Sequence, residues 1–181
     1  MNSVAITNPA ASTRLLVVMG VSGSGKTSLA IALAKHYGYQ CLDADDFHSE
    51  DSRARMASGL PLTDEMRTPW VMALQAHLRV EAEQNQHCTL AFSGLKHFHR
   101  NMIRAAGLKT LFIFLAGDKL TITDRLQKRT NHFMAPNLLD SQFESLEPPS
   151  TEHDVLKIDI AAPLEQVIAR TIAAIDATPG W

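Results

Sequence analysis

The chain has 181 residues, of which 45% are hydrophobic and 20% are charged, and its formal net charge is −2. These values predict one globular domain with a sizeable core, and the small net charge argues against a broad electrostatic attraction to nucleic acid or to an anionic membrane. No apolar run approaches the roughly 20 residues that a membrane-spanning helix needs. Residues 1–13 lack the pattern of a secretory signal and are expected to form a loose tail.

Apolar runs and helical patterns alternate along the chain. In order, the sequence predicts a strand at residues 15–19, a helix at 26–37, a strand at 40–43, helices at 49–58 and from 64 or 69 to 84, a strand at 89–93, a helix at 96–106, a strand at 110–115, a helix at 119–129, an irregular segment at 130–150, a strand at 155–160 and a last helix that starts at Pro163. Five short apolar strands alternating with helices predict an α/β fold, with a parallel sheet covered by helices on both faces.

The first predicted strand leads into Gly-Val-Ser-Gly-Ser-Gly-Lys-Thr at residues 20–27, which matches the phosphate-loop pattern G-x-x-x-x-G-K-[ST]. In this motif, backbone N–H groups and a helix N-terminus bind phosphate. The lysine reaches the β- and γ-phosphates, and the last hydroxyl binds Mg²⁺. We therefore expect ATP and Mg²⁺ as ligands, with nucleotide contacts from Gly20, Val21, Ser22, Gly23, Ser24, Gly25, Lys26, Thr27 and Ser28.

Three carboxylates, Asp43, Asp45 and Asp46, follow the second predicted strand. Phosphoryl transfer to an alcohol needs one carboxylate for Mg²⁺ and another that accepts the hydroxyl proton. If the chain stays extended, Asp43 and Asp45 project from the same side, so we assign Asp43 to the metal, together with Thr27, and Asp45 to the acceptor hydroxyl. Asp46 is expected to cap the next helix. His48 either contacts the acceptor or packs locally.

Polar residues also follow the third predicted strand. Ser93 stands where water-activating NTPases often carry an aspartate, which argues against a motor ATPase and leaves the second strand to supply the acid. Lys96 and Arg100 fall one turn apart on the next helix, where they either hold an anionic group of the acceptor or line a solvated face. We include Ser93, Lys96 and Arg100 among the substrate-binding candidates.

Arg125 and Arg129 lie four residues apart, just before the irregular segment. Arginines of a lid neutralise charge on the transferred phosphoryl group and exclude water, so both are predicted to act in catalysis and to contact ATP. The alternative is a basic last turn that complements the helix dipole. His132 begins the segment and is a candidate for the acceptor site. We expect a lid at about residues 130–150 within a single domain of residues 14–178.

The two cysteines, Cys41 and Cys88, lie at or beside predicted strands. We expect both to be buried free thiols of a protein in the reducing cytosol. No Cys/His spacing indicates a zinc site.

Several segments together resemble the gluconokinase family of small P-loop kinases, and the resemblance extends from residue 17 to about residue 168. The segments are residues 19–27 (Met-Gly-Val-Ser-Gly-Ser-Gly-Lys-Thr), 43–48 (Asp-Ala-Asp-Asp-Phe-His), 56–64 (Met-Ala-Ser-Gly-Leu-Pro-Leu-Thr-Asp), 67–70 (Arg-Thr-Pro-Trp), 93–96 (Ser-Gly-Leu-Lys), 125–129 (Arg-Leu-Gln-Lys-Arg), 132–134 (His-Phe-Met), 141–144 (Ser-Gln-Phe-Glu) and 146–148 (Leu-Glu-Pro). Segments 56–64 and 67–70 are the most specific.

The resemblance implies an adenylate-kinase-like P-loop NTPase fold with a lid, and ATP- and Mg²⁺-dependent conversion of D-gluconate to 6-phosphogluconate by a cytoplasmic homodimer. It adds Arg67 to Lys96 and Arg100 as candidates for the gluconate carboxylate and hydroxyls. The chain departs from the family pattern at several positions, and three of these lie in segments expected to shape the acceptor pocket, namely Ser52, Met66 and Gly94. The other departures are Ser49, Phe92, His99 and Asn131.

Two alternatives remain open at the level of the sequence. One keeps the reaction and changes the acceptor to shikimate, adenylyl sulfate, a nucleoside monophosphate or another sugar acid. The other is a regulatory nucleotide-binding protein without kinase activity. The combination of acid, base and lid residues argues against the second alternative.

Overall fold

The computed structural model describes residues 13–127 and 136–181. The strands are β1 Arg14–Met19, β2 Gln40–Asp43, β3 Cys88–Phe92, β4 Lys109–Ala116 and β5 Val155–Asp159. The helices are α1 Lys26–Tyr37, α2 Glu50–Ala57, α3 Asp64–Glu83, α4 His97–Arg104, α5 Lys119–Gln127, α6 Pro136–Ser145 and α7 Leu164–Asp176, and a 3₁₀ turn spans Ala44–Phe47. All strand pairs are parallel, in the order β2-β3-β1-β4-β5, which confirms the predicted α/β sheet.

Both faces of the sheet are buried because consecutive side chains of a strand point to opposite sides. Leu15 of β1 belongs to the same core cluster as Leu74 of α3. Its neighbour Leu16 belongs to the opposite cluster, together with Leu29 of α1 and Val167 of α7. The central strand is therefore enclosed by two helical layers, which explains why it consists almost entirely of apolar residues.

The start of α3, which the sequence left open between residues 64 and 69, is settled by the structure. The helix begins at Asp64, not at Pro69, because the hydroxyl of Thr63 accepts a hydrogen bond from the Met66 N–H at 3.4 Å and caps the first turn. Pro69 lies within the helix. Across residues 13–127 and 136–181, no helix is long and apolar enough to cross a membrane, α3 included.

The strand order brings the predicted site residues to one edge of the sheet. The connection from β1 to β2 passes over the position of β3, and the connection from β3 to β4 passes over β1. Such reversals open a crevice at the carboxyl ends of the strands. Gly20, after β1, donates its N–H to the carbonyl oxygen of Ser93, after β3, at 3.1 Å. The phosphate loop therefore lies directly against the end of β3.

Some predictions about local structure are wrong. The segment predicted as irregular contains α6, and Pro163 precedes α7 as its N-cap instead of starting it. Cys41 is exposed because β2 is an edge strand, whereas Cys88 is buried as predicted. Thr13, predicted in the loose tail, is buried and accepts a backbone hydrogen bond from Lys109 at 2.9 Å.

Candidate active site

A cavity of about 910 Å³ lies at the carboxyl ends of β1, β2 and β3. Six residues of the phosphate loop and the start of α1 line it: Ser22, Gly23, Gly25, Lys26, Thr27 and Ser28. Six further residues that we predicted to bind metal or substrate line the same cavity: Asp43, Asp45, His48, Arg67, Ser93 and Lys96. The structure therefore brings most of the predicted site together.

The remaining loop residues predicted to bind nucleotide lie beneath the cavity. Gly20, Val21 and Ser24 are buried, and the hydroxyl of Ser24 has no hydrogen-bond partner in the described parts of the chain. Gly23 has a left-handed backbone (φ 81°), and a Cβ there would lie 2.7 Å from Leu126 Cγ. Glycine is therefore required at Gly23, because α5 packs directly against the loop.

Thr27 and Asp43 form the candidate magnesium site. The Thr27 hydroxyl donates to Oδ2 of Asp43 at 3.0 Å, and Oδ1 of Asp43 accepts from the Asp45 backbone N–H at 3.0 Å. No group of three or more His, Cys, Asp or Glu side chains in residues 13–127 and 136–181 could hold a metal ion by itself. A hydroxyl and one carboxylate fit Mg²⁺, which keeps several waters and takes its other ligands from nucleotide phosphates.

The chain after β2 does not stay extended, so the premise for placing Asp43 and Asp45 on one side is wrong. It turns through the 3₁₀ segment Ala44–Phe47, yet both carboxylates still reach the cavity. The capping role predicted for Asp46 is also wrong, since the hydroxyl of Ser49 caps α2 by accepting the Ser52 N–H at 3.2 Å. The Asp45 side chain is 83% exposed, as a group that must meet a substrate requires.

His48 is packed beside Asp45 and faces the cavity. Its ring is buried and stacks on Trp70 at 4.1 Å between centroids, and the Trp70 indole N–H donates to the carbonyl oxygen of Ala44 at 2.7 Å. His48 Nε2 lies 3.7 Å from Oδ1 of Asp45, and Nδ1 has no partner among the described residues. Burial lowers the pKa of His48, and the nearby Asp45 carboxylate only partly offsets this. The histidine therefore contributes a neutral ring.

Two cationic side chains that belong to different parts of the chain line the cavity. Arg67 projects from α3 and pairs with Asp64 at 3.3 Å, and Lys96, before α4, lies 3.7 Å from Oε1 of Glu147. His99 also lines the cavity and is buried. Burial lowers the pKa of His99, and the positive charge of Arg67 lowers it further. This part of the cavity suits an anionic group of a substrate.

Arg100 does not line the described cavity, contrary to the contact with the acceptor that we predicted. Its side chain is 1% exposed and forms a bidentate ion pair with Glu152, with the shortest N–O distance 2.5 Å. Its Nη1 donates to the carbonyl oxygens of Gly94 at 2.6 Å and Leu95 at 3.2 Å. Arg100 thus holds the loop that carries Ser93 and its neighbours from behind the site.

The predicted lid residues are only partly within the described chain. Arg125 donates to the backbone carbonyl oxygens of Ile160 and Ala162 after β5, and it does not line the cavity. Its role over ATP stays a prediction. Arg129 and His132 lie outside the described residues, as does the departure at Asn131.

The departures from the family pattern lie at different depths. A Cβ at Gly94 would stand 3.0 Å from Met19 Cβ and Sδ, and its φ is 59°, so this position faces the sheet and not the cavity. Ser52 and Met66 do not contribute to the described lining either, so the predicted influence of these three side chains on the pocket is not supported. Among the departures that the structure describes, His99 is the one that lines the cavity.

Sequence reasoning missed several residues of the lining. Trp70 and Gln142 belong to segments that carried the family resemblance, but neither was given a role. These residues could not be predicted because a single aromatic or amide side chain on a helix forms no motif in the sequence. Only the packing of the helices shows that they face the cavity. The other lining residues not predicted are Met56, Ala57, Pro61, Leu62, Ala91, Leu95, His99, Leu126, Leu138 and Ser141.

Comparisons with known proteins agree with this site. A family model described as an AAA domain matches residues 15–149. The thermoresistant gluconokinase of Escherichia coli (strain K12) is 40% identical over 162 residues, covering 89% of this chain and 93% of that protein. The probable gluconokinase of Mus musculus is 38% identical over 178 residues, covering 89% of this chain and 97% of that protein. A gluconokinase from Sinorhizobium meliloti 1021 has a crystal structure that matches with a TM-score of 0.83 at 34% identity and covers 93% of both chains. One cavity holds the phosphate loop, the carboxylates of Asp43 and Asp45 and the cations Arg67 and Lys96, and the similarity extends over nearly the full length of the related proteins. The chain therefore belongs to the gluconokinase family.

Proposed function

We propose that this protein transfers the γ-phosphoryl group of ATP to the 6-hydroxyl of D-gluconate and forms 6-phospho-D-gluconate and ADP. The observation that carries the proposal is that one cavity joins the phosphate loop, the exposed carboxylate of Asp45 and the two cations Arg67 and Lys96. A sugar acid needs all three: a phosphoryl donor, a base for its hydroxyl and positive charge for its carboxylate. The names of the similar proteins support gluconate as the acceptor.

On the donor side, the N–H groups of residues 23–27 and the N-terminus of α1 bind the phosphates. The ammonium group of Lys26 neutralises charge on the outer phosphates, as the lysine of this motif does. Thr27 and Asp43 would hold Mg²⁺, which would neutralise charge on the nucleotide phosphates when bound. Positioning and neutralisation account for most of the rate in such reactions, so little covalent chemistry is required of the protein.

On the acceptor side, Asp45 accepts the proton of the attacking hydroxyl while the oxygen bonds to phosphorus and the bond to the ADP oxygen breaks. The neutral His48 ring limits the freedom of the Asp45 side chain and contributes a ring nitrogen to the acceptor pocket. Arg67 and Lys96 bind the gluconate carboxylate through charge-assisted hydrogen bonds. The hydroxyl to be phosphorylated and the carboxylate lie at opposite ends of gluconate, and this fits a pocket with the base and the cations on separate elements.

We further propose that residues 14–178 form the kinase domain and that the enzyme acts as a cytoplasmic homodimer. The family resemblance supports the cytoplasmic homodimer, and the single parallel sheet supports one domain. Mg²⁺ as the metal is supported by the Thr27–Asp43 pair.

The test is a coupled assay of ADP formation with Mg²⁺-ATP, with and without D-gluconate, followed by identification of the product. We expect gluconate-dependent ADP formation with 6-phosphogluconate as the product, and we expect the Lys26→Ala variant to be inactive. If another sugar acid or shikimate stimulates ADP formation and gluconate does not, the assignment of gluconate as the acceptor is wrong. ADP formation that no acceptor changes would overturn the kinase assignment.

A further inference from the structure

The peptide group between Val21 and Ser22 is hydrogen-bonded at both of its ends. Its carbonyl oxygen accepts from the Lys26 ammonium group at 3.1 Å, and its N–H donates to Oε1 of Gln142 at 2.6 Å. One continuous chain of hydrogen bonds therefore runs from the lysine of the phosphate loop, through the backbone, to an amide that lies 120 residues away from Ser22. Bonds arranged in this way polarise and strengthen one another.

Gln142 projects from α6, and the core holds that helix in place. Leu139, on the same helix, is 4% exposed and belongs to the cluster beneath β1 and β4, and Phe143 packs against that cluster. Asp140 forms an ion pair of 2.7 Å with Lys119 of α5. Because α6 is anchored on both sides, the amide of Gln142 has a defined position at the wall of the cavity.

The orientation of this amide follows from its partner. A backbone N–H is a donor, so Gln142 must present its carbonyl oxygen to Ser22. Removal of that oxygen would leave the part-buried Ser22 N–H without this acceptor, and a polar group that loses its partner in a partly buried position destabilises the loop. The Val21–Ser22 peptide would then be held only from its carbonyl side, where the Ser24 N–H also donates to the Val21 oxygen at 3.3 Å, and the acceptor of Lys26 would be less firmly fixed.

We propose that Gln142 is a positioning residue that acts through the Val21–Ser22 peptide to direct the Lys26 ammonium group toward the outer phosphates of the nucleotide. This role rests on the proposed function, since it requires that Lys26 binds the phosphates of a donor nucleotide. Gln142 touches neither the reacting oxygen nor phosphorus in this role.

The first measurement compares Gln142→Met, which keeps the length of the side chain and removes the accepting oxygen, with the wild type. A shift of about 1 Å in a catalytic group can cost on the order of 100-fold in rate, so we expect kcat to fall by roughly 10- to 100-fold with little change in the KM for gluconate. Glu144→Gln, on the exposed face of the same helix, is the matched control and should leave kcat unchanged. Wild-type kcat in Gln142→Met would overturn the proposal.

A double-mutant cycle separates this role from general support of the fold. The dissociation constant of a non-hydrolysable ATP analogue is measured by calorimetry, without acceptor, for the wild type, Gln142→Met, Lys26→Ala and the double variant. We expect Gln142→Met to weaken binding in the wild-type background and to have no further effect once Lys26 is alanine. Equal weakening in both backgrounds would show that Gln142 does not act through Lys26.

The cycle remains interpretable in two difficult cases. If Gln142→Met does not fold, Gln142→Asn provides the same test, because it keeps the amide but is one methylene too short to reach Ser22. If the wild type does not phosphorylate gluconate, the proposed function fails, while the binding cycle still decides whether Gln142 positions Lys26.

Discussion

The hydroxyl of Thr27 donates a 3.0 Å hydrogen bond to Oδ2 of Asp43, and this contact joins the start of α1 to the end of β2 across 16 residues. Thr27 and Asp43 therefore meet because β1 and β2 run parallel and end at the same edge of the sheet. A hydroxyl and a carboxylate already in contact can each supply one ligand to an octahedral Mg²⁺ shell, and nucleotide phosphates and water would supply the others.

Replacement of the Thr27 hydroxyl should weaken metal use more than it weakens the fold. In Thr27→Val a methyl group takes the place of the hydroxyl, so we expect the Mg²⁺ concentration for half-maximal activity to rise by about 10-fold or more. The measurement is initial rate against free Mg²⁺ at fixed ATP. Thr123→Val is the control, because the Thr123 hydroxyl donates to a backbone carbonyl within α5 and lies outside the cavity lining. An unchanged Mg²⁺ dependence in Thr27→Val would remove Thr27 from the metal site.

Neutralisation of Asp45 should separate turnover from nucleotide binding. Asp45→Asn keeps the shape of the side chain and removes the base, so we expect kcat to fall on the order of 10²- to 10⁴-fold with nearly unchanged ATP affinity. Steady-state kinetics and calorimetric binding of an ATP analogue measure the two effects. Asp46→Asn, one residue along and outside the cavity lining, should behave as the wild type. Near-normal turnover in Asp45→Asn would exclude Asp45 as the base.

Loss of the Arg100 guanidinium should affect both stability and the acceptor site. Arg100→Met breaks a buried ion pair with Glu152 and removes the Arg100 donor from the carbonyl oxygens of Gly94 and Leu95, of which Leu95 keeps the Glu147 N–H at 2.8 Å. We expect the free energy of unfolding to fall by about 3 kcal/mol and the KM for gluconate to rise, because the loop that carries Lys96 is held less firmly. Urea unfolding and steady-state kinetics test this.

The control for Arg100 is Arg79→Met. Arg79 makes one long hydrogen bond, of 3.4 Å, to a backbone carbonyl at the protein surface, so its loss should change stability by no more than about 0.5 kcal/mol. Equal stability losses in the two variants would show that the buried network has no special role.

The buried His99 should make the protein less stable in mild acid. Burial and Arg67 lower its pKa, with a further lowering by Lys96, while Asp64 and Glu147 act in the opposite direction. The folded state therefore binds fewer protons than the unfolded state between the lowered pKa and the ordinary histidine value of about 6.5. Stability is fully present above that value and falls as pH decreases through this window.

The measurement is the free energy of unfolding between about pH 5 and pH 8, the range in which histidine titrates. We expect His99→Gln to fall less steeply than the wild type as the pH decreases, because one of its buried titrating groups is gone. His36→Gln is the control, since His36 is exposed in the last turn of α1. Identical slopes for the wild type and His99→Gln would contradict the prediction.

The two cysteines should differ sharply in reactivity. Cys41 is exposed on the edge strand, whereas Cys88 is buried and burial raises the pKa of its thiol to about 12. Because the thiolate is the reactive form, an aromatic disulfide reagent should modify one thiol rapidly in the native protein and two after denaturation. Cys41→Ser should abolish the rapid phase. A rapid phase that persists in Cys41→Ser would mean that Cys88 is accessible.

Features with a local cause could be predicted from the sequence. The bounds of α1 and β2 agree with the structure, and α1 ends at Gly38, whose left-handed backbone (φ 70°) turns the chain so that the next N–H, of Tyr39, donates to the carbonyl oxygen of Ala34 at 2.9 Å. The alternation of apolar runs and helices was sufficient to predict the parallel sheet. The 3₁₀ turn after β2 was missed because so short a segment, Ala44–Phe47, has no periodicity that distinguishes a turn from an extended chain.

The sequence by itself determined the phosphate loop and the cluster of carboxylates after β2, because each is a contiguous segment whose residue types and spacing define its chemistry. Packing decided which charged side chains face the cavity. Arg67 lines it, while Arg100, also predicted to bind the acceptor, turns inward to Glu152. Packing also brought Gln142 to Ser22 over 120 residues. Burial of a charge and contact between distant segments depend on how helices pack on the sheet, and no local pattern along the chain encodes that geometry.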